Sequence, residues 1–251
     1  MISRPPENLF RANHRLALLP PFLALLAFCL WTALGSTREG PRGAHAAESG
    51  GWERVERRVA VMGTWLRISL EAPTRAEGLA ACERALRAIE EAEARLSTWR
   101  DDSELAQLNA APVDEPIEVS PLLRAELERA CEWSRETSGA FDPALAPLVA
   151  AWSLRTGGDQ PSATEFESAR DACGLRCWAF EPSGVRRLHE RAGFEEGAFG
   201  KGASLDAALE AIEELSWRSL SIDLGGQLLE ARHAGLVRRL VAHPDDRGTP
   251  V

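Results

Sequence analysis

The stretch Gly197-Ala198-Phe199-Gly200-Lys201-Gly202-Ala203-Ser204-Leu205-Asp206 sets one lysine inside a glycine-rich turn that runs straight into an amphipathic helical pattern. Glycines allow close backbone approach to a ligand and tolerate positive φ. The first turn of the following helix presents unpaired N–H groups at the positive end of its dipole. Together these features can hold an anion, and with the lysine a nucleotide diphosphate. Gly-x-Gly before a helix serves as a tight packing turn at least as often, so the segment has to be weighed with its companions.

Four other segments carry residue types suited to a ligand, each with a structural alternative. Met62-Gly63-Thr64 is either a hairpin corner or a place where Gly63 admits a flat ring and Met62 packs on it. In the polar run 97–105, Trp99 is either a stacking platform or a rim over the core. Asp101 and Glu104 there read first as the capping pair of a short helix, ahead of a catalytic carboxylate pair. The joint Ser138-Gly139-Ala140-Phe141-Asp142-Pro143 lets Asp142 cap a helix starting at Pro143. Alternatively, its exposed main chain and carboxylate read the edge of a base or flavin. Ser221-Ile222-Asp223-Leu224-Gly225-Gly226 ends a strand in two glycines, where close backbone approach is needed. No serine stands with a histidine and an acid at hydrolase spacing, and His189, His233 and His243 are scattered.

The elements that must position these residues follow from periodicity. Apolar and polar residues alternate over 55–61 and 65–70 on either side of Met62-Gly63-Thr64, which predicts a hairpin. Thr74 and Glu77 form a reciprocal capping pair for a helix that places Leu79, Cys82, Leu86, Ile89 and Leu96 on one face. Further helices are expected from Ser120-Pro121 to Gly139, from Pro143 towards Trp152, from Ser162 with Glu165 to Gly174, and over 203–215. Strands are expected over 185–189, 219–223, 228–231 and 236–242, and residues 245–251 read as a turn leading into another strand. The irregular order predicts an α+β domain with a mixed sheet and packed helices.

The 251 residues bear a net charge of -9, which argues against a nucleic-acid partner. The Arg pairs at 57/58, 186/187 and 238/239 read as solvated strand faces. Arg4, Arg11 and Arg15 precede an apolar run over 16–34, so residues 1–46 are expected to be an export signal or an N-terminal membrane anchor with a polar linker. Ala44-His45-Ala46 offers a cleavage site, and Phe28 is too bulky before Cys29 for lipidation. Cys173 and Cys177 are near enough in sequence to pair in an oxidising compartment, whereas Cys82 and Cys131 are expected to pack as small hydrophobes. No histidine lies at zinc-ligand spacing from these cysteines.

In this order, the segments resemble the FAD:protein FMN transferase family, also called the ApbE family. The match runs through Met62-Gly63-Thr64, then Leu96 to Trp99, Asp102 to Leu105 and Leu108-Asn109. It continues through Gly139 to Pro143, Pro147-Leu148 and Trp152, and a hallmark turn aligned on Lys201. The resemblance implies a T-fold-like α+β domain over 51–251, the substrate FAD, and Mg²⁺. It implies transfer of FMN to a Thr or Ser hydroxyl of an exported acceptor protein, with release of AMP. By position, Met62 and Trp99 line the flavin, Ala140, Phe141 and Asp142 contact FAD, Lys201 binds near the phosphates, and Ser204 offers a main-chain carbonyl to the metal.

The sequence also departs from the family pattern. Glu195-Glu196 stands for the usual Asp-Leu, Ala203 for a Tyr, and Trp99 for a common Tyr. The family's later His-x-x-Asp-Pro-x-x-Gly segment and the Asp and Thr or Ser metal ligands have no counterpart here. The resemblance thus covers roughly the first two thirds of such a domain, and low stability in isolation is expected. The rival expectation is a non-catalytic FAD-binding or flavin carrier protein without the metal site; a third is an envelope interaction protein whose matching loops are structural.

Overall fold

The hairpin expected around Met62 forms from β1 (Glu53–Val61) and β2 (Thr64–Ala72), joined by a two-residue turn. The computed structural model describes residues 51–232. The leader 1–46 with Cys29, His233, His243, the Arg pair 238/239, the strand expected over 236–242 and residues 245–251 lie outside the described residues.

β2 pairs antiparallel with β6 (Ser219–Leu224), and β6 with β7 (Gln227–Arg232), giving one sheet in the order β1-β2-β6-β7. The register Leu66↔Leu224, Ile68↔Ile222 and Leu70↔Leu220 puts six buried aliphatic side chains on one face. Each stabilises the fold by about 1.5–3 kcal/mol on burial. Two helices share that core, α1 (Arg75–Leu96) through Cys82 and Ile89, and α6 (Gly200–Glu210) through Leu205 and Ala208. Thr74 caps α1 by accepting from Glu77 N at 3.2 Å, but the Glu77 carboxylate takes the Thr74 hydroxyl at 2.8 Å. The expected reciprocal pair is therefore half formed.

The last turn of α1 delivers Leu96 to a second core, which also holds Leu105, Leu123, Leu127 and Phe194. A three-stranded sheet, β3 (Pro116–Ile117), β5 (Gly184–Arg187) and β4 (Trp178–Glu181), borders it in the order β3-β5-β4. The Trp178 and Phe194 rings meet there, with centroids 4.4 Å apart. The class is α+β, as expected. Among the described residues both sheets are antiparallel, and the parallel component of the expected mixed sheet is limited to one bridge, Val113 to Arg187.

Helix starts followed local capping chemistry rather than the broader pattern. α2 (Glu104–Ala110) is capped by buried Ser103, which accepts from Ala106 N at 3.0 Å. The expected Asp101–Glu104 pair does not form. Glu104 instead accepts from the backbone N–H and the hydroxyl of Ser120, the N-cap of α3 (Pro121–Glu136). α4 (Ala146–Ala151) begins three residues after Pro143, because Asp142 Oδ1 accepts from Ala144 N at 2.8 Å and closes a turn ahead of the helix. α5 (Ala163–Asp171) has the complete Ser162–Glu165 capping box.

The four described cysteines are buried and unbridged. The Cys177 thiol lies 3.6 Å from the Cys173 carbonyl oxygen, so the loop does fold back, but onto main chain. Cys82 and Cys131 pack in the two cores, where burial pushes each thiol pKa up to about 11. Arg187 is not on a solvated face. Its guanidinium is half-buried and donates to the Asn109 and Ala111 carbonyls, because β5 turns it under the end of α2. No helix among the described residues is long and apolar enough to cross a membrane.

Candidate functional site

Two hairpin ends lie side by side at one end of the β1-β2-β6-β7 sheet. Gly225 N donates to Trp65 O at 3.0 Å, and a Cβ on Gly225 would stand 2.7 Å from Thr64 Oγ1. Gly225 also has φ +61, so this position excludes a side chain on two counts. The close approach expected at the two glycines is thus made to the neighbouring Met-Gly-Thr turn.

That contact fixes where Met62 stands. Met62 has φ +51 and its Sδ lies 3.3 Å from the Ser204 hydroxyl. Ser204 is fully buried in α6 and donates to the Gly200 carbonyl at 2.7 Å. Residues 142 positions apart in sequence therefore meet where the glycine-lysine turn becomes helix.

α6 starts at Gly200, three residues ahead of the expected start, which brings Lys201 and Gly202 into its first turn. Its N-cap, Phe199, supplies no side-chain acceptor. The first helical bond of this turn runs from Ala203 N to Phe199 O, so the preceding amides are those a helix start leaves available to an anion. Lys201 is half-buried, and among the described residues its ammonium has no hydrogen-bond or ion-pair partner.

Phe141 lines a groove of about 510 Å³ between α3 and α6, shared with Gly202, Ala203, Phe199, Trp133 and Arg129. Ala140 is exposed on the turn after α3. Asp142 commits one carboxylate oxygen to the Ala144 amide. Of Ala140, Phe141 and Asp142, the three expected to contact FAD, Phe141 is the one that faces the glycine-lysine turn across the groove.

Trp99 is 66% exposed and reaches the turn through its neighbour, because Thr98 Oγ1 hydrogen-bonds the Glu196 carboxylate. Arg155 lies over the indole with Cζ 4.7 Å from the ring centroid. It donates to Thr98 O at 2.8 Å and to Glu195 Oε2 at 2.8 Å, and stands 3.9 Å from Glu196. Burial holds the Glu195 carboxyl above the usual range, against the opposing pull of Arg155. Beneath lies a cleft of about 470 Å³ lined by Thr98, Asn109, Arg155, Phe194 and Glu195. The Asn109 side chain straps its floor with two hydrogen bonds to Phe194: its Nδ2 donates to Phe194 O at 2.9 Å, and its Oδ1 accepts from Phe194 N at 2.8 Å.

The described residues do not by themselves fit Mg²⁺, which takes oxygen ligands in near-octahedral array. No three His, Cys, Asp or Glu side chains among them converge as metal ligands. The Ser204 hydroxyl is committed to Gly200, and its carbonyl lies within the helical ladder of α6. Glu195-Glu196, a departure from the family pattern, carries no partner legible in the sequence. Two adjacent carboxylates in a half-buried loop call for a counter-charge, yet no spacing rule links them to Arg155, which the turn after α4 brings across 40 residues.

The sequence model of the ApbE family matches residues 62–236. A Treponema pallidum protein described as FAD:protein FMN transferase is 31% identical over 186 residues, 67% of this chain and 49% of the relative. A Haemophilus influenzae protein of the same description is 23% identical over 148 residues, 56% of this chain and 43% of the relative. The chain spans about half the length, or somewhat less, of the curated relatives it matches. Among solved structures, the flavin transferase ApbE from Vibrio cholerae superposes with a TM-score of 0.70 at 23% identity, covering 80% of this chain and 67% of that one. The apo form of Pseudomonas stutzeri flavinyl transferase ApbE gives 0.64 at 19% identity, covering 71% and 59%. These likenesses establish the fold.

Proposed function

The chain belongs to the ApbE family, and on that premise we propose that it handles FAD at the glycine-lysine turn and transfers the FMN half to a Thr or Ser hydroxyl of a protein acceptor. The observation that carries this reading is the convergence at the start of α6. Met62 touches Ser204 on one side, Phe141 faces Gly202 and Ala203 on the other, and Lys201, its side chain unpartnered, immediately precedes these residues on a helix start without a side-chain cap.

In the proposed reaction the acceptor hydroxyl oxygen attacks the FMN-side phosphorus. The new P–O bond forms as the bond from that phosphorus to the bridging oxygen breaks, AMP leaves with the bridging oxygen, and the hydroxyl proton passes to solvent. Lys201 and the first-turn amides of α6 are suited to offset diphosphate charge, and Phe141 and Trp99 offer ring surface for the flavin. Mg²⁺ dependence is part of the proposal through the family alone. The basic and apolar residues of 1–46 support export to the cell envelope, with or without anchoring by residues 16–34.

The test incubates the full chain with FAD, Mg²⁺ and a threonine-bearing acceptor, then follows flavin fluorescence on the denatured acceptor together with AMP release. Transfer of label with stoichiometric AMP supports the reading. Binding of FAD without transfer makes the chain a flavin-binding protein, and no FAD binding removes both readings.

A further inference from the structure

Arg155 has no part in the chemistry described above, yet it is the most connected cation at the site. Ser153, at φ +50, reverses the chain after α4, and Arg155 then reaches back over 57 residues to the carbonyl of Thr98. The same guanidinium engages both oxygens of Glu195, at 2.8 and 3.1 Å. The side chains of Glu195 and Glu196 are only 13% and 12% exposed, so this is not an ordinary surface ion pair. A planar group held at several points has little freedom to move, and the indole of Trp99 rests against its face at 4.7 Å. One face of that indole is thereby covered, while Trp99 as a residue remains 66% exposed.

We infer that Arg155 is a positioning residue: clamped by Glu195 and Thr98, it fixes Trp99 from behind so that the open face of the indole is presented to the planar ring of the ligand. This rests on the flavin reading above. It also gives the Glu195-Glu196 doublet a purpose. The carboxylates anchor the cation that orients the stacking platform, and so join the glycine-lysine turn to Trp99 through Arg155 and through the Thr98–Glu196 hydrogen bond. An uncoupled tryptophan loop would have to be ordered by each arriving ligand, a cost that a pre-set ring avoids.

The experiment is a double-mutant cycle on the full chain, with FAD binding followed by flavin fluorescence and by the shift of the flavin absorption band on stacking. Trp99→Leu abolishes the band shift. Arg155→Gln weakens FAD binding about fivefold, as expected for loss of a cation–π contact that orders the ring, and reduces the shift per bound flavin. In the Trp99→Leu background the same change costs less than about twofold, because Arg155 acts through the indole. Arg155→Gln combined with Glu195→Gln removes the stranded carboxylate and gives the same loss if the single variant is poorly folded. Unchanged binding and band shift in Arg155→Gln, or an equal loss with and without Trp99, overturns the inference while leaving the flavin reading intact. Absence of FAD binding by the unaltered chain overturns the flavin reading itself.

Discussion

Replacing Asn109 with Ala should unfasten the loop that leads into the glycine-lysine turn. The Asn109 side chain bonds both main-chain groups of Phe194, a residue whose side chain is fully buried. The substitution leaves one N–H donor and one C=O acceptor without their bonds, and each such orphan costs about 1–3 kcal/mol. Both residues also line the 470 Å³ cleft, so water can reach part of the vacated space. That places the total near the lower end, about 2–3 kcal/mol. With a urea slope of about 2 kcal/mol/M for a domain of this size, the midpoint should fall by roughly 1–1.5 M. Asn109→Leu keeps most of the volume without the polar atoms and should lose about as much. Gln107→Ala, two residues earlier on the same helix and exposed, should stay within about 0.5 kcal/mol. Urea unfolding followed by tryptophan fluorescence measures all three. An Asn109→Ala protein within about 0.5 kcal/mol of wild type would refute the strap, as would an Asn109→Leu protein that loses nothing.

Other perturbations test separate parts of the site. Lys201→Gln should weaken FAD binding about tenfold or more, the scale of a charged hydrogen bond, while leaving the urea midpoint unchanged, since Lys201 has no partner among the described residues; a large loss of stability would contradict its placement. Gly225→Ala should cost about 2–4 kcal/mol from a positive φ plus a 2.7 Å approach to Thr64, and Thr64→Ala should recover part of that in the double variant. For Glu195 the sign follows from its direction of shift. Burial holds its folded pKa above the ordinary carboxylate value, so its contribution is fully present below that ordinary value and is lost as pH rises through the folded pKa. Glu195→Gln should therefore gain stability relative to wild type as the pH rises above the ordinary carboxylate range, read in paired urea titrations; a gain confined to pH below that range would reverse the assignment.

The parts legible in the sequence were those set by local chemistry. Alternation over 55–61 and 65–70 specified β1 and β2, and Ser162 with Glu165 specified a complete capping box. Local rules failed where a distant group competed for the same side chain. Ser120, not the α2 helix start, claimed Glu104, and Ala144 claimed Asp142 before a helix could form at Pro143. The two-residue β3 is defined only by its partner β5, and no pattern that short can announce a strand. At the site, motif order singled out Met62, Trp99, Phe141, Lys201 and Ser204, and the Met62–Ser204 contact joins two of them. Arg155 carried no such signal, because its role depends on a chain reversal after α4 and on partners 40 and 57 residues away.

The placement of β6 beside β2 has a consequence during synthesis. The second strand of the hairpin is complete at Ala72, but the strand that covers its other edge ends only at Leu224, some 150 residues later. At about 5–20 residues per second, roughly 8–30 s pass in which a strand bearing Leu66, Ile68 and Leu70 has an open edge and no roof from α6. A nascent chain in that interval is a template for pairing with its neighbours. Arg57, Arg58 and Arg67, which flank those aliphatic residues on the hairpin, are then the charges that keep waiting chains apart.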